Sequence, residues 1–431
     1  MRVLFVDDEE LVLEGIADML HRDRHRWQVG FATGGRAALE ILAAGGIDMV
    51  VTDLRMPDMD GEQLLLEVRE RYPEVARIVL SGQAEAATAQ RLLAVAHQFL
   101  AKPCPAEQVR EVLARTECLK LLLADEELRA LVGRMGALPV LPATYARLVR
   151  MLDDPRASIG SVAAAVREEP ALSAKVMQAV NSAFFGLPNR MSDPQQAARY
   201  LGDRALRALI LSLEVIDALS AGRGVLGAVA EQVRARGLAT AHLAAVVARR
   251  IAPGAGDDAF LGGMLHDIGR LLLAARLPDE FRCVVATARD GGREEPAERE
   301  VLGVTHAEVG AYLIGLWGLP HPVVEAVAFH HDPARARHST PCALTAVHVA
   351  AALAEPGRRE LAPELDAGYL DALGLPGSPE AWAAVLPPPA PPPPHVGPSP
   401  RAAPARPPAT ATPRSPSGAG AARCSRARRG G

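Results

Sequence analysis

The feature that most constrains the fold is an alternation running through the first 115 or so residues. Five short apolar runs, VLFV (3–6), WQVGF (27–31), DMVVT (48–52), RIVL (77–80) and QFLA (98–101), are each followed by a longer amphipathic stretch. Five βα units in succession predict a parallel, doubly wound five-stranded sheet with helices on both faces. Such sheets bind ligands beyond the carboxyl ends of their strands, where the connections change direction. Asp7 and Asp8 follow the first run, Asp53 the third, Ser81 the fourth, and Lys102 with Pro103 the fifth, so all of these groups are expected at one edge.

Three carboxylates gathered at an edge repel one another unless a cation neutralises them, and an all-oxygen site with open positions suits Mg²⁺. In that setting Asp53 supplies a nucleophilic oxygen, Lys102 pairs with phosphoryl oxygens, and Ser81 donates a hydrogen bond to the product. Taken singly, the same residues have ordinary readings: Asp7 and Asp8 cap a helix, Asp53 opens a turn, and Lys102 is solvated. Their joint placement favours the chemical reading.

The strings VDDEE, VTDLRMPDMDG, LSG and FLAKP, in this order, resemble response-regulator receiver domains, which have a flavodoxin-like fold. The resemblance implies that Asp53 accepts a phosphoryl group from a sensor histidine kinase. It further implies that Asp8, Asp53 and the backbone carbonyl of Arg55 ligate Mg²⁺ directly, with Asp7 acting through water. Ser81 and Phe99 take the switch positions, and Arg55 and Gln83 flank the site. Phosphorylation adds about two negative charges; Ser81 is then expected to move toward them and Phe99 to turn inward, reshaping the surface of the fourth helix and fifth strand.

At 431 residues the chain exceeds what one core usually supports, so further domains are expected. Aromatics are only 4%, which leaves Ala, Leu and Val to do the packing and favours helices. Val109, Val112, Leu119 and Leu123 carry a helical spacing through 105–131, read either as a short dimerising helix or as packing on the receiver itself. From about Gly133 to Leu386 the pattern is all-α, with no convincing strand. Helix starts are marked by proline in DDPRAS (153–158), EEP (168–170), SDP (192–194) and GLP (318–320). Beyond Leu386 the chain turns to PPPAPPPP and then to Pro, Ala, Ser and Arg, the composition of a disordered, solvated tail.

Charge and cysteine usage narrow the function classes. The formal net charge of −4 conceals a tail, 387–431, with seven Arg and no acid, so the body before it is more acidic than the total. An acidic body argues against nucleic acid as the main ligand. The five cysteines form no close-spaced framework and read as reduced thiols. MRVLFVDDEE does not read as a signal peptide, and no apolar run is long enough to span a bilayer, so a cytoplasmic protein without membrane contact is expected.

The most chemical string of the helical half is FLGGMLHDIGRLLL, which holds His266 and Asp267; further histidines stand at His306, His330, His331 and His348. An adjacent His and Asp completed by distant His and Asp is the arrangement of HD-type phosphohydrolases, which activate water on metal. LPVLPATYARLVRMLDDP, EEPALSAKVMQAVNSAFFG, ARYLGDRALRALIL, GGMLHDIGRLLL, VTHAEVGAYLIGLWGLP and AFHHDP together resemble HDOD domains, the HD-related output domains found behind receivers. Aligned on that family, Arg236 stands where HD enzymes carry their first histidine and Ala351 where they carry the last aspartate, while His242 falls on another face. Neither a guanidinium nor a methyl group ligates a cation. The resemblance therefore implies a degenerate HD site with no catalytic residues. His266 and Asp267 act there as a buried polar pair, His330 and His331 end a helix, and Asn181 with Ser182 serves as a cap or turn.

The expected division is a receiver at 1–120, a helical linker at 121–130, an HDOD domain at 131–335, a helical extension at 336–386 and a tail at 387–431. The expected function is a cytoplasmic response regulator, phosphorylated on Asp53, whose HDOD domain binds an unidentified downstream protein. The rival readings are a metal-dependent HD-type phosphohydrolase regulated by the receiver and a DNA-binding transcriptional regulator.

Overall fold

The computed structural model describes residues 1–81, 92, 95–135, 158–181, 190–201, 223–289, 293–354 and 364–385, with the short stretches 139–140, 147–148, 151 and 214–215. The expected tail, the expected fourth receiver helix apart from Leu92, Gln83 and Ser182 lie outside the described residues, as do the side chain of Ser81 and most of DDPRAS.

Strands β1 (Arg2–Val6), β2 (Gln28–Ala32), β3 (Met49–Asp53), β4 (Ala76–Ser81) and β5 (Gln98–Ala101) form one parallel sheet in the order β2-β1-β3-β4-β5. The apolar runs are continuous because both faces of the sheet are covered: Val3 to Val6 and Met49 to Val51 are buried without interruption. Three helices connect the first strands, α1 (Glu10–Leu20), α2 (Gly35–Ala43) and α3 (Gly61–Arg71). In α1 the buried residues Leu13, Ile16 and Leu20 follow the helical period. Asp60 caps α3, its carboxylate accepting from the Gln63 amide at 2.8 Å, and Arg69 and Arg71 sit at the negative end of the helix dipole.

The run expected to continue the last receiver helix is two helices, α4 (Ala106–Leu122) and α5 (Glu126–Gly133). Asp125 stops the first from continuing because its carboxylate caps the second, accepting from the Leu128 amide at 3.0 Å. Val109, Val112, Leu119 and Leu123 are all buried within the chain, so the stripe packs internally.

The remainder is helical, with one departure from expectation: Pro139–Val140 and Glu214–Val215 pair as two short parallel strands, β6 and β7. The helices used below are α6 (Ile159–Arg167), α7 (Pro170–Val180), the long α8 (Arg223–Ile251), α9 (Gly256–Leu265), α10 (Ile268–Arg276), α11 (Pro278–Arg289), α12 (Glu294–Leu302), α13 (His306–Leu316), α14 (His321–Phe329) and α15 (Ala343–Leu353). Thr305 and Glu308 form a capping box at the start of α13, which fixes His306 at the first helical position. Helices α10 and α13 cross so closely that a methyl group at Gly269 would overlap the His306 carbonyl. No helix among the described residues is long and apolar enough to cross a membrane.

Candidate functional site

The strand order reverses at β1, so the carboxyl ends of β1 and β3 lie side by side at the switch point, and the residues there are Asp7 and Asp53. Both side chains are nearly buried, whereas Asp8 and Arg55 are exposed. Lys102, just beyond β5, reaches back with its ammonium 2.6 Å from Asp7 Oδ2 and in contact with Asp53 Oδ1. The other oxygens are held from behind. Asp53 Oδ2 accepts from the Arg55 amide at 2.6 Å, and Asp7 Oδ1 from the Glu9 amide at 3.1 Å. Burial disfavours the charge of Lys102, but hydrogen bonds and charges from Asp53 and Asp7 outweigh it, and its pKa is raised. Gly61, the first residue of α3, is required because a Cβ there would strike the Asp53 carbonyl. The donor set is entirely oxygen, and an ammonium bridging two carboxylates shows that the pair attracts a cation, so these residues fit Mg²⁺.

A second cluster of ionisable groups lies in the helical half. His266 and Asp267 join α9 to α10, both fully buried. Arg236 of α8 places Nε 2.8 Å from Asp267 Oδ2, and Arg270 of α10 places a nitrogen 3.6 Å from the same oxygen. Arg270 also pairs with Glu294 at 2.9 Å. His306 donates from Nδ1 to Glu298 Oε2 at 2.7 Å, and its Nε2 is 3.4 Å from Asp267 Oδ1. Burial alone would raise the Asp267 pKa, yet Arg236, His266 and its other neighbours hold it well below the carboxylate range. Burial takes His266 down to about 4. His306 goes the other way, to about 10, because Glu298 and Asp267 overcome the cost of burying its charge. Arg236 thus stands on Asp267 as a built-in cation.

A family model for the response regulator receiver domain matches residues 3–114, and one for the HDOD domain matches 138–333. The chain is a receiver joined to an HDOD domain. It is 27% identical over 230 residues to an uncharacterized protein of Treponema pallidum, covering 52% of this chain and 41% of that one. To the response regulator protein FleR of Pseudomonas aeruginosa it is 30% identical over 127 residues, covering 29% and 26%. The MmoQ response regulator of Methylococcus capsulatus is a structural neighbour at TM-score 0.45 and 22% identity, covering 58% of this chain and 98% of that one. The chain spans less than half the length of the curated relatives it matches.

Receiver and HDOD domain meet along the start of β5 and one face of α4. The Gln98 amide donates to the carbonyls of Leu316 at 3.0 Å and Gly315 at 3.4 Å, and the Gln178 amide of α7 donates to the His97 carbonyl at 3.5 Å. Leu119 lies over Gly315, and Arg190 bridges Glu111 of α4 and the Gly318 carbonyl. Buried Arg77 ties the sheet to the end of α5, donating from Nε to the Val95 carbonyl at 2.6 Å and from a terminal nitrogen to the Gly133 carbonyl at 2.5 Å. Phe99, next in β5 after Gln98, is buried.

Of the groups expected at the receiver edge, Asp7, Asp53 and Lys102 are in direct contact, Asp8 is exposed beside them, and Ser81 ends β4. His242 is exposed, stacked edge-on against Phe260 and away from Asp267's partners. Asn181, at the C-terminal end of α7, exchanges two hydrogen bonds with the backbone of Met191, at 2.9 and 2.7 Å. His330 caps α14, and His348 donates to its carbonyl at 2.7 Å. Arg270, Glu294 and Glu298 were not legible as site residues. Arg270, three residues after Asp267 on a helix, carried a usable signal; the two glutamates look like any solvated helix face.

Proposed function

We propose that this chain is a phosphorelay response regulator that accepts a phosphoryl group on Asp53 and uses it to change what its HDOD domain presents to a downstream protein. The observation that carries this reading is the bridge from Lys102 to both Asp7 and Asp53 at the switch point of a receiver sheet. An Asp53 oxygen attacks phosphorus, a P–O bond forms, and the bond from phosphorus to the donor breaks; a kinase histidine is the donor in the cell. Asp7, Asp8, Asp53 and the Arg55 carbonyl would hold Mg²⁺, which would supply charge neutralisation for the incoming phosphoryl oxygens. Lys102 then follows the charge from the carboxylates to the phosphoryl group, and Ser81 donates to it. Phe99, adjacent to Gln98, carries the change to the seam with the HDOD domain. In this reading a sensor histidine kinase stands upstream and the chain works in the cytoplasm.

The HDOD domain acts in this scheme by binding rather than catalysis, a reading supported by Arg236 occupying Asp267. Incubation with a small-molecule phosphoryl donor and Mg²⁺ tests the assignment. Intact mass should show one added phosphoryl group on the wild type and none on Asp53→Asn; equal labelling of both would overturn it.

A further inference from the structure

We propose that the HDOD domain holds a divalent transition-metal ion on His306, His330 and His331, a site displaced from the His266–Asp267 pair. One nitrogen from each of these three histidines lies within 4.8 Å of the others. Two of the rings are oriented from behind as metal-bound imidazoles are. His306 gives Nδ1 to Glu298, and His330 gives Nδ1 to the Val327 carbonyl at 2.9 Å, so each turns Nε2 inward. His330 is fully buried, and its Nε2 has no hydrogen-bonding partner among the described residues. A buried ring nitrogen without a partner is costly, and an ion satisfies it.

Spacing supports the same assignment. Four ligands at imidazole–metal bond lengths in a tetrahedron stand roughly 3.3 Å apart. The Nε2 atoms of His306 and His331 are 3.2 Å apart, bridged without an ion by the Nε2 proton of His306. The ion replaces that proton, which leaves to solvent. The neighbouring triad of His266, Asp267 and His330 is the weaker candidate. Arg236 already places its positive charge on Asp267, with a guanidinium nitrogen 3.5 Å from His266 Nε2. A second cation is therefore repelled from that side and accepted on the histidine side. His331 is only partly buried, which provides an entry route and leaves room for water as a further ligand. A set of imidazole nitrogens selects zinc, iron, nickel or cobalt over magnesium.

The test uses untagged, metal-stripped full-length protein in excess Mg²⁺, so that the receiver carboxylates are already occupied, titrated with Co²⁺ and with Zn²⁺. The wild type should take up about one equivalent and His331→Gln none, with both folded by circular dichroism. The cobalt form should show hyperfine-shifted ring N–H resonances from His306 and His330, a wild-type readout that stands if the variant does not fold. No uptake by the wild type, or full uptake by folded His331→Gln, would overturn the site.

Discussion

The receiver edge and the HDOD interior both set aspartates against cationic side chains, yet they are built for opposite ends. At the receiver edge one flexible lysine, partly open to solvent, spans two carboxylates that lie at the end of a strand. In the HDOD interior one aspartate is gripped by two buried arginines from different helices, with a protonated His306 alongside. A partly exposed ammonium can transfer its charge to a new anion at little cost. Two guanidiniums sealed in a core cannot, because either would be left buried without a counter-ion. Solvent access, more than residue type, separates a site that can switch from one that fixes a fold.

Breaking each aspartate in turn should expose this contrast most strongly. Asp267→Asn leaves Arg236 and Arg270 facing a neutral group in the core and should cost about 3–5 kcal/mol in chemical denaturation. Asp53→Asn relieves repulsion with Asp7 and leaves the partly exposed Lys102 still paired with Asp7, so it should change stability by less than about 1 kcal/mol while abolishing phosphorylation. Similar costs at both sites would remove the distinction.

Glu169 sharpens the point, since it is a buried HDOD carboxylate whose arginine neighbours do not offset its burial, and its pKa rises to about 7. The folded state then binds a proton more tightly than the unfolded chain, whose carboxylate titrates near 4.5. Stability contributed by the protonated form is complete below pH 4.5 and disappears as pH rises through 7. Glu169→Gln should therefore stabilise the protein above pH 7 by up to about 3 kcal/mol and flatten that part of the profile. An unchanged slope between pH 4.5 and 7 would mean that Glu169 is not desolvated.

Smaller effects are expected where the two domains join. Arg77→Met leaves the Val95 and Gly133 carbonyls without their donor and should cost about 2 kcal/mol in the same denaturation experiment. Gln98→Ala removes the bonds to Leu316 and Gly315 and should cost about 1 kcal/mol. It should also raise amide exchange at the end of α13 without altering phosphorylation of Asp53; protection that stays at the wild-type level would show that Gln98 does not hold the seam.

The receiver was legible because its constraints are local. A buried parallel strand writes itself as an apolar run, and the residue that follows each run lies at the ligand edge whatever the packing. The HDOD half was legible as helices, and the resemblance put Arg236 at the site of His266 and Asp267, but Glu294 and Glu298 were not legible there, because they come from a separate helix and reach Arg270 and His306 only through packing. The 105–131 stripe shows the same limit in part: its period was clear and the cap of α5 by Asp125 is local, whereas the burial of Leu119 over Gly315 depends on chain that lies elsewhere. The His330 side chain, aimed inward with no partner for its Nε2 among the described residues, has no signature in sequence at all.

The central claim is that the receiver edge switches while the HDOD charge cluster stays fixed. Hydrogen–deuterium exchange of the full chain with Mg²⁺, with and without a phosphoryl mimic, tests it most directly. Altered exchange is predicted at 97–101 and 315–319, none at 263–270, and no response anywhere in Asp53→Asn. An unaltered seam, or a response centred on His266 and Asp267, would contradict the account.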